Sequence, residues 1–161
     1  MATLVTTGRA GLAASVAARN IFLGVGAGDV QWDSLGTPAE NISSTGLASA
    51  LGYRKTAQVS FVIPAAEGAI VLPSGRYDVS QTQTNYLYLR FTLDFEDINS
   101  STIRETGIFL DAVTGEGLPP GQMFFSPSQV TAQGTLYLLE HVAAIIRTPA
   151  TRETFEFVLT F

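Results

Sequence analysis

Tyr86-Leu87-Tyr88-Leu89-Arg90-Phe91-Thr92-Leu93-Asp94-Phe95-Glu96 sets the fold class. Its apolar residues recur at every second position. In an extended chain Leu87, Leu89, Phe91, Leu93 and Phe95 therefore point one way, and Tyr86, Tyr88, Arg90, Thr92, Asp94 and Glu96 the other. The first face is expected in the core and the second in water. The same alternation returns at the C-terminal end, with Phe155, Phe157, Leu159 and Phe161 opposite Thr154, Glu156 and Thr160. Val59, Phe61 and Ile63 form another alternating strand, closed by Pro64, and Leu136 to Ile146 supplies a longer apolar one.

Around these runs the chain is punctuated by turn chemistry: Pro73-Ser74-Gly75, Asn99-Ser100-Ser101, Thr114-Gly115-Glu116-Gly117 and Pro119-Pro120-Gly121. Strands joined by short turns, with no helices between them, predict an antiparallel β-sandwich or open barrel. One helix is expected at about 7–19. Leu12 and Val16 lie four apart among alanines there, and Thr6 or Thr7 is placed to cap the first turn. Ile21 to Gly26 then switches to β-branched and aromatic residues suited to a strand. The stretch from Gly28 to Gly46 is too long for an ordinary connection, which marks it as functional or ordered by a partner if it holds no hidden element. The length of 161 residues suits a single β-rich domain spanning 1–161.

Composition narrows the function. Charged residues make up 14% of the chain, against about 25% in an average protein. Such a charge-poor surface is one that partners can cover. The formal charge is −5 and the nine basic residues are scattered, so there is no cationic stripe for nucleic acid. No apolar run approaches the roughly 18 residues of a membrane span. The start, Met1 to Arg9, lacks the basic and apolar pattern of a secretory leader, so synthesis without a signal peptide is expected. With no cysteine, disulfides and thiolate chemistry are excluded.

Little catalytic machinery is visible. Gly24-Val25-Gly26-Ala27-Gly28-Asp29 has Asp29 where a dinucleotide fingerprint needs its third glycine, and it reads as a close-packed glycine turn. His141 is the sole histidine. No Gly-x-Ser-x-Gly elbow accompanies it, and Glu140 points to the opposite strand face, so a partly buried, hydrogen-bonded histidine is expected. Asp94, Glu96 and Asp97 form the densest carboxylate group, read as a solvated face. The chain is therefore read as a non-enzyme without metal or cofactor. Trp32 in the long loop, unless it plugs that loop onto the core, and Tyr86 and Tyr88 on the wet strand face are candidates to anchor a protein interface or to stack on sugar rings. The second use would make the chain a carbohydrate-binding β-sandwich that contacts host-surface glycans.

Three stretches carry a resemblance. They are Leu23-Gly24-Val25-Gly26-Ala27-Gly28-Asp29 leading to Trp32-Asp33, then Leu51-Gly52-Tyr53-Arg54-Lys55, and above all Ile103-Arg104-Glu105-Thr106-Gly107-Ile108-Phe109-Leu110-Asp111. Together with His141 to Pro149 before the last strand, they resemble the N-terminal attachment domains of bacteriophage tail-collar fibre and baseplate-associated proteins. The resemblance implies a structural virion protein of the phage tail that works as a homo-oligomer in a symmetric assembly. Its partners would be other tail or baseplate proteins and tail fibres. Fibres of this kind continue into a shaft, whereas this sequence stops at Phe161, so the implied role is an adapter. Its expected contact elements are the N-terminal segment and the 28–46 loop, with Trp32, Asp33, Tyr86, Tyr88, Arg104 and Glu105 as interface candidates. Arg104 and Glu105 are read first as fixing strand and turn geometry; because they point to opposite faces of a strand, one is expected to pair within the fold and the other to face a subunit.

Overall fold

Alternation and turn chemistry produce a mainly β molecule of antiparallel sheets with one long helix near its N-terminus. The computed structural model describes residues 1–161. In chain order the elements are α1 (Thr6–Ala17), β1 (Ile21–Gly26), α2 (Trp32–Leu35), β2 (Ala50–Lys55), β3 (Gln58–Pro64), β4 (Ile70–Leu72), β5 (Gly75–Val79) and β6 (Tyr86–Leu93). There follow β7 (Ser101–Leu110), β8 (Val113–Thr114), β9 (Phe124–Phe125), a 3-10 turn (Pro127–Gln129), β10 (Val130–Ala132), β11 (Thr135–Arg147) and β12 (Glu153–Thr160). They fall into two compact units, each gathered from separate parts of the chain.

One unit holds Asn20–Lys55 and Thr92–Glu153, built on a sheet of order β11-β7-β1-β2-β9. Strand β7 lies between β11 and β1 and is buried from Ile103 to Leu110. Its registers set Phe109 opposite Phe22 and Gly107 opposite Gly24. Gly107 is needed for packing: a Cβ there would come within 2.9 Å of Leu136 and 3.2 Å of Leu47. The space goes to a cluster of Phe22, Tyr53, Phe109, Ala112 and Phe125. Tyr53 meets Phe109 edge-on with centroids 5.3 Å apart, a favoured aromatic geometry.

The carboxylates expected to be solvated turn out to brace this unit. Arg54, nearly buried, pairs with Asp94 at 3.0 Å and Asp97 at 2.5 Å. Fully buried Arg147 donates to the backbone oxygens of Asp94, Thr148 and Thr151. Asp97 is itself buried, so only Glu96 of the three is left to water in the expected way.

The other unit gathers Met1–Arg19, Thr56–Phe91 and Thr154–Phe161. Its sheet runs β12-β6-β3-β5-β4, and the β4–β5 hairpin turns at Pro73-Ser74-Gly75 as expected. Leu87, Leu89, Phe91 and Leu93 of β6 are wholly buried, so the alternating core face holds. Three details differ. The strand ends at Leu93, and Phe95 lies beyond it, 44% exposed. Tyr88, expected on the wet face, is 2% exposed because a second cluster of Val62, Tyr77 and Tyr88 covers that side. In β3 it is accordingly Val62 that is buried, while Ile63 is exposed. The Tyr88 hydroxyl donates to Glu156, and burial, helped by that carboxylate, pushes the phenol up to about 12. The last strand is tied down by the Phe161 N–H on the Asn85 carbonyl.

Helix α1 also departs in detail. Val5 is its N-cap, and no side chain caps it, neither Thr6 nor Thr7. Its buried pair is Ala13 and Val16, whereas Leu12 is 47% exposed.

Candidate functional site: a clasped loop

The Arg104-Glu105 dipeptide ties down both ends of the 28–46 loop. Strand alternation sends the two side chains to opposite faces, and each finds one end of that loop. Arg104 grips the start: Nε and Nη2 donate to the two carboxylate oxygens of Asp33 at 2.8 and 2.6 Å, and Nη1 donates to the Ala27 carbonyl at 3.1 Å. This two-pronged guanidinium–carboxylate geometry is the strong and directional form of the ion pair. Glu105 grips the end, accepting the Ala48 N–H at 3.0 Å and the Ser49 N–H at 2.9 Å on separate oxygens. Gly26 makes this possible, because any Cβ there would collide with the Glu105 carboxylate.

The middle of the loop is pinned by β11. The His141 N–H donates to Glu40 Oε1 at 2.9 Å, and its ring Nδ1 lies 2.9 Å from the Pro38 carbonyl. A carbonyl can only accept, so Nδ1 carries the proton. The imidazole packs on Trp32 with ring centroids 4.6 Å apart. Farther along, Gln133 Nε2 donates to the Thr45 carbonyl at 2.9 Å. Within the loop, Asp29 accepts the Gln31 N–H at 2.8 Å, the local turn that starts α2.

These contacts set the electrostatics. The Arg104 hydrogen bonds hold the Asp33 carboxyl below its usual range, and Asp33 in return raises the Arg104 guanidinium. The backbone N–H of His141 lowers Glu40 in the same way. Both carboxylates are thereby kept ionised, and of the two only Asp33 is paired with a cation.

The six interface candidates separate accordingly. Trp32 and Asp33 lie in the loop, Trp32 half-buried against His141 and Asp33 held by Arg104. Arg104 and Glu105 are both inside the fold, 9% and 1% exposed, so neither is left over to face outward as expected of one of them. Tyr88 is internal, and Tyr86 is half-buried against Tyr77 with ring centroids 6.2 Å apart. His141 is the residue that sequence reasoning undervalues. It is partly buried and hydrogen-bonded, as expected, but the loop residues it holds lie about a hundred positions away, beyond the reach of any local signal.

The large hydrophobic side chains left outward on the loop are aliphatic. Val30 is 68% exposed, Leu35 80% and Ile42 fully so. The clasp thus presents apolar side chains from a stretch with little regular structure. None of the curated proteins matches this chain. A family model described as "Baseplate wedge 3 tail fiber network component" matches residues 1–161, so the chain belongs to that family of bacteriophage baseplate and tail-fibre proteins.

Proposed function

We propose that this baseplate and tail-fibre network component is an adapter. In this reading it grips neighbouring tail subunits through the 28–46 loop and the N-terminal segment, and its work is binding rather than catalysis. The observation that carries the reading is where the apolar surface lies. Of the fourteen large hydrophobic residues left exposed, seven (Met1, Leu4, Val5, Leu12, Val30, Leu35 and Ile42) belong to these two segments, which make up less than a quarter of the chain. Apolar side chains concentrated in this way mark surfaces that a partner covers.

The clasp supports the same reading. A loop that must order itself on binding loses affinity to that ordering, and one already tied at both ends and in the middle loses less. Rigid scaffolds that carry contact loops are a general solution to recognition. A specific tail interface buries on the order of 1,000 Å² or more, so several such segments must act together. The glycan-binding alternative is less well supported, because Tyr88 is internal and Trp32 has its ring against His141.

The test is incorporation. The double variant Leu35→Ser, Ile42→Ser should melt like the parent, since both side chains lie in water, and should be depleted from assembled tails at least tenfold. Normal incorporation into tails would refute the loop-contact reading.

A further inference from the structure

The two apolar segments carry opposite charge. Residues 1–28 contain Arg9 and Arg19 and no acid, whereas residues 28–46 contain Asp29, Asp33 and Glu40 and no base. The imbalance extends to the units. The unit that holds α1 has four basic and three acidic residues, and the unit that holds the loop has five basic and eleven acidic. In the latter the cations are already engaged: Arg54, Arg104 and Arg147 are internal, Arg152 lies on Asp94 and Phe95, and Lys55 lies over Phe125. Asp29 and Glu40 are exposed beside exposed Val30, Leu35 and Ile42. On the helix, Arg9 is exposed among Leu4, Val5 and Leu12, and the first turn holds no acid.

We propose that the N-terminal helix of one copy docks on the 28–46 loop of a second copy, aliphatic against aliphatic, with Arg9 facing Asp29 and Glu40. The inference deepens the adapter reading and rests on it, naming the occupant of both segments. A second copy fits because each copy offers one basic and one acidic apolar surface, so every helix finds a loop. Contact between unlike surfaces is either reciprocated in a pair or carried round a closed ring. Complementary charge selects the register and speeds encounter, while the aliphatic residues supply the burial.

The experiment is light scattering of the full chain over a concentration series, for the parent, Arg9→Glu, Asp29→Lys and an equimolar mixture of the two variants. Asp29 also starts the turn at Gln31, so Leu35→Arg serves as a second loop variant, paired in the same way with Arg9→Glu. The parent should associate to a closed multiple, and added salt should weaken it. Each single variant should raise the dissociation constant at least tenfold. Each mixture should return close to the parent, because the carboxylate introduced by Arg9→Glu then meets the cation introduced on the loop of the other variant, whose own unaltered helix meets an unaltered acidic loop. A parent that stays monomeric throughout, or mixtures that fail to restore association, would overturn the self-contact. A monomeric parent together with loss of the Leu35→Ser, Ile42→Ser variant from tails would overturn the self-contact and leave the adapter standing with a different partner. Charge-sensitive association with normal incorporation of that variant would overturn the adapter while supporting the contact.

Discussion

Strand β7 and the 28–46 loop are opposites in almost every physical respect. Eight consecutive residues of β7, Ile103 to Leu110, are buried, whereas most of the loop is exposed and its only regular element is the four-residue α2. Yet the two are joined by well-formed polar contacts, those of Arg104 and Glu105. The contrast shows how a chain with few charges divides its work. Apolar burial on β7 sets the position of the scaffold, and two charged side chains project from it to hold a segment that cannot hold itself. A loop with little packing of its own belongs to the low-stability end of a fold, where contact surfaces are usually found.

If that division is right, damage to the strand should reach the whole fold, and damage to the clasp should reach the loop. Phe109→Ala should do most harm, because it empties a fully buried position in the aromatic cluster and should cost about 3–5 kcal/mol in chemical denaturation. A loss below about 1 kcal/mol would mean that β7 is not the centre of its unit. Gly26→Ala comes next. The new methyl must displace the Glu105 carboxylate from the Ala48 and Ser49 N–H groups, for about 1–3 kcal/mol of overpacking. Limited proteolysis near residues 46–49 should then speed up more than the melting temperature falls. Equal protease resistance of parent and variant would separate Glu105 from the loop.

The mildest change should be a pH dependence confined to the clasp. Asp33 and Glu40 are lowered from their ordinary values of 3.8 and 4.5. Groups lowered in the folded state contribute stability that is complete above those ordinary values and is lost as pH falls through their folded ones. Protection of the His141 amide from hydrogen exchange, corrected for intrinsic rate, should therefore hold above about pH 5 and decline below about pH 4 while the β7 amides stay protected. Joint loss of both sets would mean that the loop and the strand open as one body.

Much of the architecture is legible from period alone. The alternation of Leu87, Leu89, Phe91 and Leu93 is a local property, and so are the glycine and proline turns and the helix among alanines. The length of the 28–46 stretch marks it as exceptional without revealing α2, because four residues make too short a periodic signal. The Ile-Arg-Glu-x-Gly motif points to the right strand for a family reading, and the family match over the whole chain agrees with it. Periodicity does not reveal which partners the polar groups find. Tyr88 reads as wet because it sits opposite leucines, and it is buried because Glu156, 68 positions later, and a second cluster cover its face.

Local sequence is enough for the class of this protein: antiparallel β, one N-terminal helix, charge-poor, with opposite charge on its first 28 residues and on the loop that follows. Those properties rest on neighbours one to four residues apart, or on composition. It took the folded chain to turn both Arg104 and Glu105 inward, to brace Arg54 with Asp94 and Asp97, and to pin a loop with His141. Each of those outcomes depends on groups about 40 to 100 residues apart in the chain meeting at hydrogen-bonding distance. A buried charge must find such a partner to be tolerated, but which partner it finds is set by strand order and register rather than by its neighbours in sequence.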